Sequence, residues 1–325
     1  MHAHKRSPLY IPERNRTNKT WLQQRGVHVV LGMVAVLLLV GSTRSVIARD
    51  AQYQVTSSND VRVAMRDGVP LATDIYLPTQ NGTVLAEKLP VILTRTPYNK
   101  SGSKNLGNYF AARGYAFVAQ DTRGRYNSEG IWHMMTDDGR DGYDAAAWIA
   151  EQPWSNGQIG MIGTSYVGGT QHAMAMENTP QLVTVIPVDA VSNTGYQSMR
   201  NAGAFELRFW NWIFLNAGRG SRQARDATTA AMLGEMATNR LHYLRNLPLR
   251  RGTTPLQHAA EYEDWLVEAM RHGANDDFWK QNNILDDTGR YKDMPVYLVG
   301  GWYDSWAGNT TANFQALSKT INGPV

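Results

Sequence analysis

Residues 61–65 and 71–76 alternate polar and apolar side chains on either side of the turn Asp67-Gly68, a period of two that predicts an antiparallel strand pair. Further along, the pattern changes. Residues 90–93, 115–119, 159–162, 182–188 and 296–299 are short apolar runs, mostly β-branched, of the kind buried on both faces of a parallel sheet. Helix-like spacing fills most of the intervals, at 105–113, 141–152 and 166–178. Strand alternating with helix predicts a doubly wound α/β domain with a mostly parallel sheet. The alternation stops near Val191 and resumes near Met294, too long a gap for a structureless loop inside a compact domain. Within it, apolar positions recur at helical spacing in 204–215, 224–246 and 254–272, so an inserted helical cap is expected. On this division the α/β domain comprises residues 49–192 and 293–325, and the cap 193–292. Trp210, Trp212, Phe214, Trp265 and Trp279 should pack the cap helices together and in part line a pocket.

Composition refines this picture only at the N-terminus. With 42% hydrophobic and 18% charged residues, the 325-residue chain can bury a full core. Its formal charge is +4, yet residues 1–48 hold seven basic side chains against the single acid Glu13, which leaves the remainder mildly acidic. The electrostatic case for a nucleic-acid partner is thereby lost. A basic stretch to Arg25, an apolar run over 27–40 and the compact residues Val46-Ile47-Ala48 read as an export signal, with an uncleaved membrane anchor as the rival. A periplasmic or extracellular location is expected. Cysteine is absent, which excludes disulfides and a thiolate nucleophile, and no HExxH or similar cluster appears, so neither metal nor other cofactor is expected.

The candidate chemistry lies at Gly163-Thr164-Ser165-Tyr166-Val167-Gly168. A strand (159–162), a sharp turn and a helix starting at Tyr166 are the three parts of an elbow that holds a serine strained before a helix N-terminus. Gly163 leaves room for the returning helix, and Gly168 and Gly169 let that helix lie close to the sheet. The generic pattern places a glycine two residues after the serine; here Val167 stands there and the glycine moves to Gly168.

Five further segments accompany this elbow in order: Met65-Arg66-Asp67-Gly68-Val69-Pro70-Leu71; Arg95-Thr96-Pro97-Tyr98; Asp121-Thr122-Arg123-Gly124-Arg125 through Ser128-Glu129-Gly130; Gln152-Pro153-Trp154-Ser155-Asn156-Gly157; and Gly301-Trp302-Tyr303-Asp304. Over residues 58–325 the chain resembles the cocaine-esterase and X-Pro dipeptidyl-peptidase (CocE/NonD) family of α/β-hydrolases. The resemblance implies Ser165 as nucleophile, the Tyr166 N–H and the Tyr98 phenol as oxyanion donors, and Asp304 as the acid that orients a catalytic histidine. It also implies a small-molecule ester or amide substrate, cleaved through an acyl-enzyme. Family members that hydrolyse α-amino-acid esters place acids two and three positions after the aspartate, where this chain has Trp306 and Ala307. These suit an apolar acyl group, so a carboxylesterase or acylase is expected, an X-Pro dipeptidyl-peptidase next, and an inactive fragment or hydrolase-like binding protein as the remaining alternative.

The fold places its histidine after the aspartate, yet all eight histidines here precede Asp304. His172 lies two helical turns past Ser165, about 10 Å along the axis, and His133 is the least remote substitute. In the family a strand leading to the histidine and a jelly-roll-like β domain follow, and both are lacking. A C-terminally truncated chain with little turnover of its own is therefore expected. Asp121 and Arg123 are expected to form an ion pair bracing nearby loops, and Asp144 and Trp148 to share a helix face, with the tryptophan in the core.

Overall fold

The computed structural model describes residues 50–245 and 247–325, so the leader expected at 1–48 lies outside the described residues. β1 (Gln54–Ala64) and β2 (Pro70–Gln80) form the antiparallel pair, and β2 also carries the short β3 (Thr83–Val84). The remaining strands are β4 (Leu89–Thr96), β5 (Ala116–Asp121), β6 (Ser155–Thr164) and β7 (Leu182–Val188). The sheet order is β1-β2-β5-β4-β6-β7. β2 meets β5 antiparallel, and every pair from β5 to β7 is parallel. α1 (Lys104–Ala111), α2 (Asp138–Ala150) and α3 (Tyr166–Met176) make the crossovers. Of α3, only Val167 escapes full burial, as expected of a helix that packs on a parallel sheet and is itself covered.

Segment 296–299, expected as a strand, makes only two isolated parallel bridges to β7, Val185 with Val296 and Val188 with Val299. The Tyr297 N–H donates to Val185 O at 3.0 Å and the Val299 N–H to Pro187 O at 3.1 Å. The ladder fails to close because Pro187, which faces this segment, has no N–H to donate to the Tyr297 carbonyl.

Between β7 and this segment lie a small ribbon, β8 (Arg200–Asn201) with β9 (Ala204–Phe205), and the helices α4 (Leu207–Ala217), α5 (Ala227–Thr238), α6 (Arg240–Leu244) and α7 (Ala260–Arg271). The run 224–246 is not one helix: Asn239 (φ −96°, ψ 24°) divides it, and α5 begins only where the Asp226 carboxylate accepts the Thr229 N–H at 2.7 Å. The run 254–272 begins with a single 3-10 turn, Pro255–His258, before α7. The last helix is α8 (Ala307–Thr320).

Two apolar clusters organise the packing. One fills the sheet and its helices, with Leu89, Val91, Leu93, Val118, Ile159, Met161 and Val185 at its centre. The other joins the start of α3 to α4 and α7 through Trp132, Tyr166, Trp210, Phe214, Tyr262 and Trp265. Each such side chain taken fully out of water contributes about 2 kcal/mol. The second cluster sits beyond the C-terminal ends of the parallel strands, where α/β sheets hold their ligands.

Candidate active site

Ser165 follows β6 and precedes α3 with φ 64° and ψ −122°, a left-handed conformation that a residue other than glycine adopts only under strain of about 1–3 kcal/mol. Backbone bonds on both sides hold it there. Its N–H donates to Val188 O at 2.9 Å, and its carbonyl accepts from Gly168 and Gly169 (both 3.0 Å) and from Val191 (3.3 Å). The displaced glycine acquires a reason. A Cβ on Gly163 would run into the Val167 side chain, so valine after the elbow is accommodated by the bare glycine before it. A Cβ on Gly168 would lie 2.6 Å from Ala190 Cβ, so Gly168 is where α3 meets the segment after β7.

Ser165 opens into a cleft of about 610 Å³ lined by Tyr98, Met134, Tyr166, Val191, Arg208, Phe209, Asn211, Trp212, Leu215 and Trp306. Tyr98 follows β4 and crosses the rings of Tyr166 (6.4 Å) and Trp212 (6.2 Å) edge to face. Burial pushes its phenol up, while hydrogen-bonding contact with Trp212 and Ser165 opposes that rise. The Tyr166 N–H is in the first turn of α3, where a helix leaves its donors without intrahelical partners. Its phenol points the other way, donating to Asp138 Oδ2 at 2.7 Å and accepting the Met135 N–H at 3.2 Å. Burial pushes Asp138 up to about 6, against the pull of the buried Arg95 and of the Tyr166 hydroxyl.

Asp304 stands apart from these three. It is half-buried in the loop before α8, its N–H donates to Gly301 O at 3.0 Å, and its carboxylate accepts the Trp306 N–H at 2.9 Å. It does not line the cleft, although Trp306, two residues later, does. The two loops are nevertheless tied. The Asp189 N–H donates to Val299 O at 2.8 Å, and its carboxylate accepts the Gly301 N–H at 2.9 Å.

No histidine among the described residues lines the cleft. His172 is buried with Nδ1 against Tyr291 Oη at 2.9 Å, and burial lowers its imidazole to about 4. His133 lies in a separate surface depression with Arg222, Glu261 and Asp264, and His272 pairs with Asp276 at 2.7 Å.

One expectation needs correction. Arg123 does not pair with Asp121: it bridges Asp67 (2.7 Å) and Asp141 (2.6 Å), while Asp121 accepts the backbone N–H groups of Lys100 (2.7 Å) and Asn127 (3.3 Å). Two residues apart on an extended turn, the two side chains diverge. The five cap aromatics divide between lining and packing: Trp212 reaches the Ser165 cleft, whereas Trp210 and Phe214 stack on each other at 3.8 Å inside the core. Sequence reasoning missed Arg208, Asn211 and Leu215, although with Trp212 they fall at i, i+3, i+4 and i+7 along α4, the spacing of one helical face.

Another residue that sequence reasoning passed over is Arg125, fully buried. All five of its N–H groups are taken: Nε by Pro97 O at 3.0 Å, Nη1 by Asn216 O at 2.7 Å and Tyr262 Oη, and Nη2 by Asn216 Oδ1 at 3.3 Å and Arg219 O. It thereby bolts α4 and α7 to the peptide that precedes Tyr98.

Comparison with known proteins agrees with this geometry. The sequence profile of the X-Pro dipeptidyl-peptidase (S15) family matches residues 67–323. The cocaine esterase of Rhodococcus sp. (strain MB1 Bresler) is 31% identical over 290 residues, covering 84% of this chain and 48% of the esterase. Among solved structures, an α-amino acid ester hydrolase superposes with a TM-score of 0.58 at 26% identity, over 86% of this chain and 48% of its own. An aminopeptidase from a marine sediment archaeon (Thaumarchaeota archaeon) shares the fold with a TM-score of 0.60 at 24% identity, over 86% of this chain and 49% of its own. The chain thus spans about half the length of these relatives, and it belongs to the X-Pro dipeptidyl-peptidase (S15) family and carries the α/β-hydrolase fold.

Proposed function

We propose that Ser165 is the nucleophile of a serine hydrolase that cleaves carboxylic ester or amide bonds through an acyl-enzyme. The observation that carries this reading is the strained Ser165 backbone at the start of α3, facing a cleft that also holds the Tyr98 phenol. When Oγ attacks a carbonyl, the negative charge that develops on the carbonyl oxygen falls between the Tyr98 hydroxyl and the Tyr166 N–H. Asp304 is assigned the orientation of a protonated imidazole. No described residue brings an imidazole to the cleft, and Asp304 itself does not line it. The cleft is mostly apolar, with Phe209, Trp212, Leu215 and Trp306, which favours esters or amides of apolar acids over an X-Pro dipeptide. We also propose export through residues 1–48, checked by N-terminal sequencing of the secreted form for a start after Ala48.

The experiment is hydrolysis of 4-nitrophenyl acyl esters in buffers of increasing imidazole. A rate that climbs with imidazole faster in the wild-type chain than in Ser165→Ala supports the reading. Equal rates would contradict it. A second reading, a cleft that binds without turnover, is favoured by the lack of a histidine among its lining residues, and equal rates would favour it.

A further inference from the structure

Asp138, the first residue of α2, touches both chain segments that carry the proposed oxyanion donors, and it is buried. Its Oδ2 accepts the Tyr166 hydroxyl at 2.7 Å. Its Oδ1 stands 3.9 Å from Arg95 Nη1, and the same nitrogen donates to the Asp138 carbonyl. Arg95 is fully buried near the end of β4, with Nε donating to Gln120 at 2.9 Å and Nη2 3.8 Å from Asp141. Three residues further on, the chain reaches Tyr98.

The Tyr166 hydroxyl also accepts the Met135 N–H at 3.2 Å, and Met135 has φ 59°. One oxygen therefore joins two stretches of left-handed backbone, Met135 itself and the Ser165 that precedes Tyr166. Strained backbone of this kind persists only where its surroundings over-determine it. The Ser165 N–H and carbonyl are held by β7, by the segment after it and by α3. The Tyr166 hydroxyl adds a tether from α2. The Tyr166 ring stacks on Trp212, with centres 6.0 Å apart, and meets the Tyr98 ring edge to face at 6.4 Å. A phenol drawn towards Asp138 thus also sets where the Tyr98 ring rests.

We propose that the hydrogen bond between Asp138 and the Tyr166 hydroxyl positions the oxyanion site. It holds the Tyr166 N–H against the strain of the elbow and, through the Tyr166 ring and Arg95, keeps the Tyr98 phenol in the cleft beside Ser165. Asp138 and the Tyr166 hydroxyl are positioning groups, since neither meets the substrate. This deepens, and rests on, the reading of Ser165 as the nucleophile.

The test is the concentration dependence of Ser165 labelling by an alkyl fluorophosphonate in imidazole buffer, which supplies the base. It yields a limiting rate and a half-saturating concentration. Tyr166→Phe keeps the ring and cuts the tether; it should lower the limiting rate about tenfold and leave the half-saturating concentration within about twofold. Asp138→Leu should act likewise, and the double variant should be no slower than the slower single one, because both changes cut the same bond. Asp138→Asn, whose amide oxygen still accepts the hydroxyl, should recover most of the loss. Urea unfolding shows which variants are folded. If Asp138→Leu is not, Tyr166→Phe and Asp138→Asn decide: a slow first and a fast second support the proposal, and an equal loss in both overturns it. A limiting rate in Tyr166→Phe within about twofold of the wild type, losses that multiply in the double variant, or Asp138→Asn as slow as Asp138→Leu would also overturn it. So would a loss carried wholly by the half-saturating concentration, the mark of a reshaped cleft. If wild-type Ser165 takes no label, the hydrolase reading fails instead. Hydrogen exchange at the Gly168 and Gly169 N–H groups, which donate to Ser165 O, then decides the tether: faster exchange in Tyr166→Phe supports it, and equal exchange sinks it.

Discussion

The Asp189 carboxylate accepts the Gly301 N–H at 2.9 Å, and this bond joins the two loops that matter most for the proposed chemistry. On one side, Val188 O takes the Ser165 N–H at 2.9 Å and Ser165 O takes the Val191 N–H at 3.3 Å. On the other, Gly301 O takes the Asp304 N–H at 3.0 Å. The segment after β7 is therefore a common anchor for the serine elbow and the acid loop. Asp189 also carries φ 40°, in the left-handed region that Asp and Asn tolerate better than other side chains.

Asp189→Asn should then be nearly neutral, because the amide oxygen still accepts and the backbone preference is kept. Asp189→Ala loses the acceptor and the backbone tolerance together, and about 2 kcal/mol of stability should go with them. Urea unfolding of the two variants checks this, and equal midpoints would show that the bond contributes nothing.

Tyr98→Phe keeps the ring contacts with Tyr166 and Trp212 and deletes only the hydroxyl. In imidazole buffer, loss of one oxyanion donor should slow phosphonylation of Ser165 on the order of 100-fold, with the unfolding midpoint nearly unchanged. A rate within threefold of the wild type would remove Tyr98 from the proposed oxyanion site.

Asp138 gives a pH signature. Its folded value of about 6 lies above the ordinary 3.8, so the stability it contributes is fully present below about 3.8 and is lost as pH rises through about 6. Asn at this position can still accept the Tyr166 hydroxyl and does not ionise. From pH 4 to pH 7 the wild type should therefore lose on the order of 2 kcal/mol more stability than Asp138→Asn. Asp121, also raised to about 6 by burial, and His172, lowered to about 4, titrate in both proteins and cancel in the difference. Parallel stability curves for the two proteins would contradict the assignment.

Arg125 makes a stability prediction of its own. Arg125→Met strips the partner from the buried carbonyls of Pro97 and Asn216 and from the carbonyl of Arg219, and should cost about 3 kcal/mol, measured by urea unfolding. Because the Pro97 contact lies next to Tyr98, the same variant should also loosen Tyr98 and slow Ser165 phosphonylation.

How much of this was legible in the sequence depended on whether the signal was local. β7 spans the same residues 182–188 as the apolar run, because only Thr184 interrupts its apolar residues. The elbow was equally plain, since the turn, the glycines and the helix start are contiguous. Segment 296–299 fell short of a strand for a reason in its neighbour, Pro187, which a scan of the segment itself does not reveal. Arg123 was misassigned because its partners, Asp67 and Asp141, come from distant stretches of chain brought together by folding. Arg208 and Asn211 share the face of α4 that carries Trp212, but helical spacing alone does not say which side of α4 meets Ser165.

The most direct test of the central claim is the site of covalent trapping. Treatment of the chain with an alkyl fluorophosphonate in imidazole buffer, which supplies the missing base, followed by peptide mapping by mass spectrometry, should place a single adduct on Ser165 that is absent from Ser165→Ala. Recovery of an unmodified Ser165 peptide, or an adduct that persists in Ser165→Ala, would contradict the account.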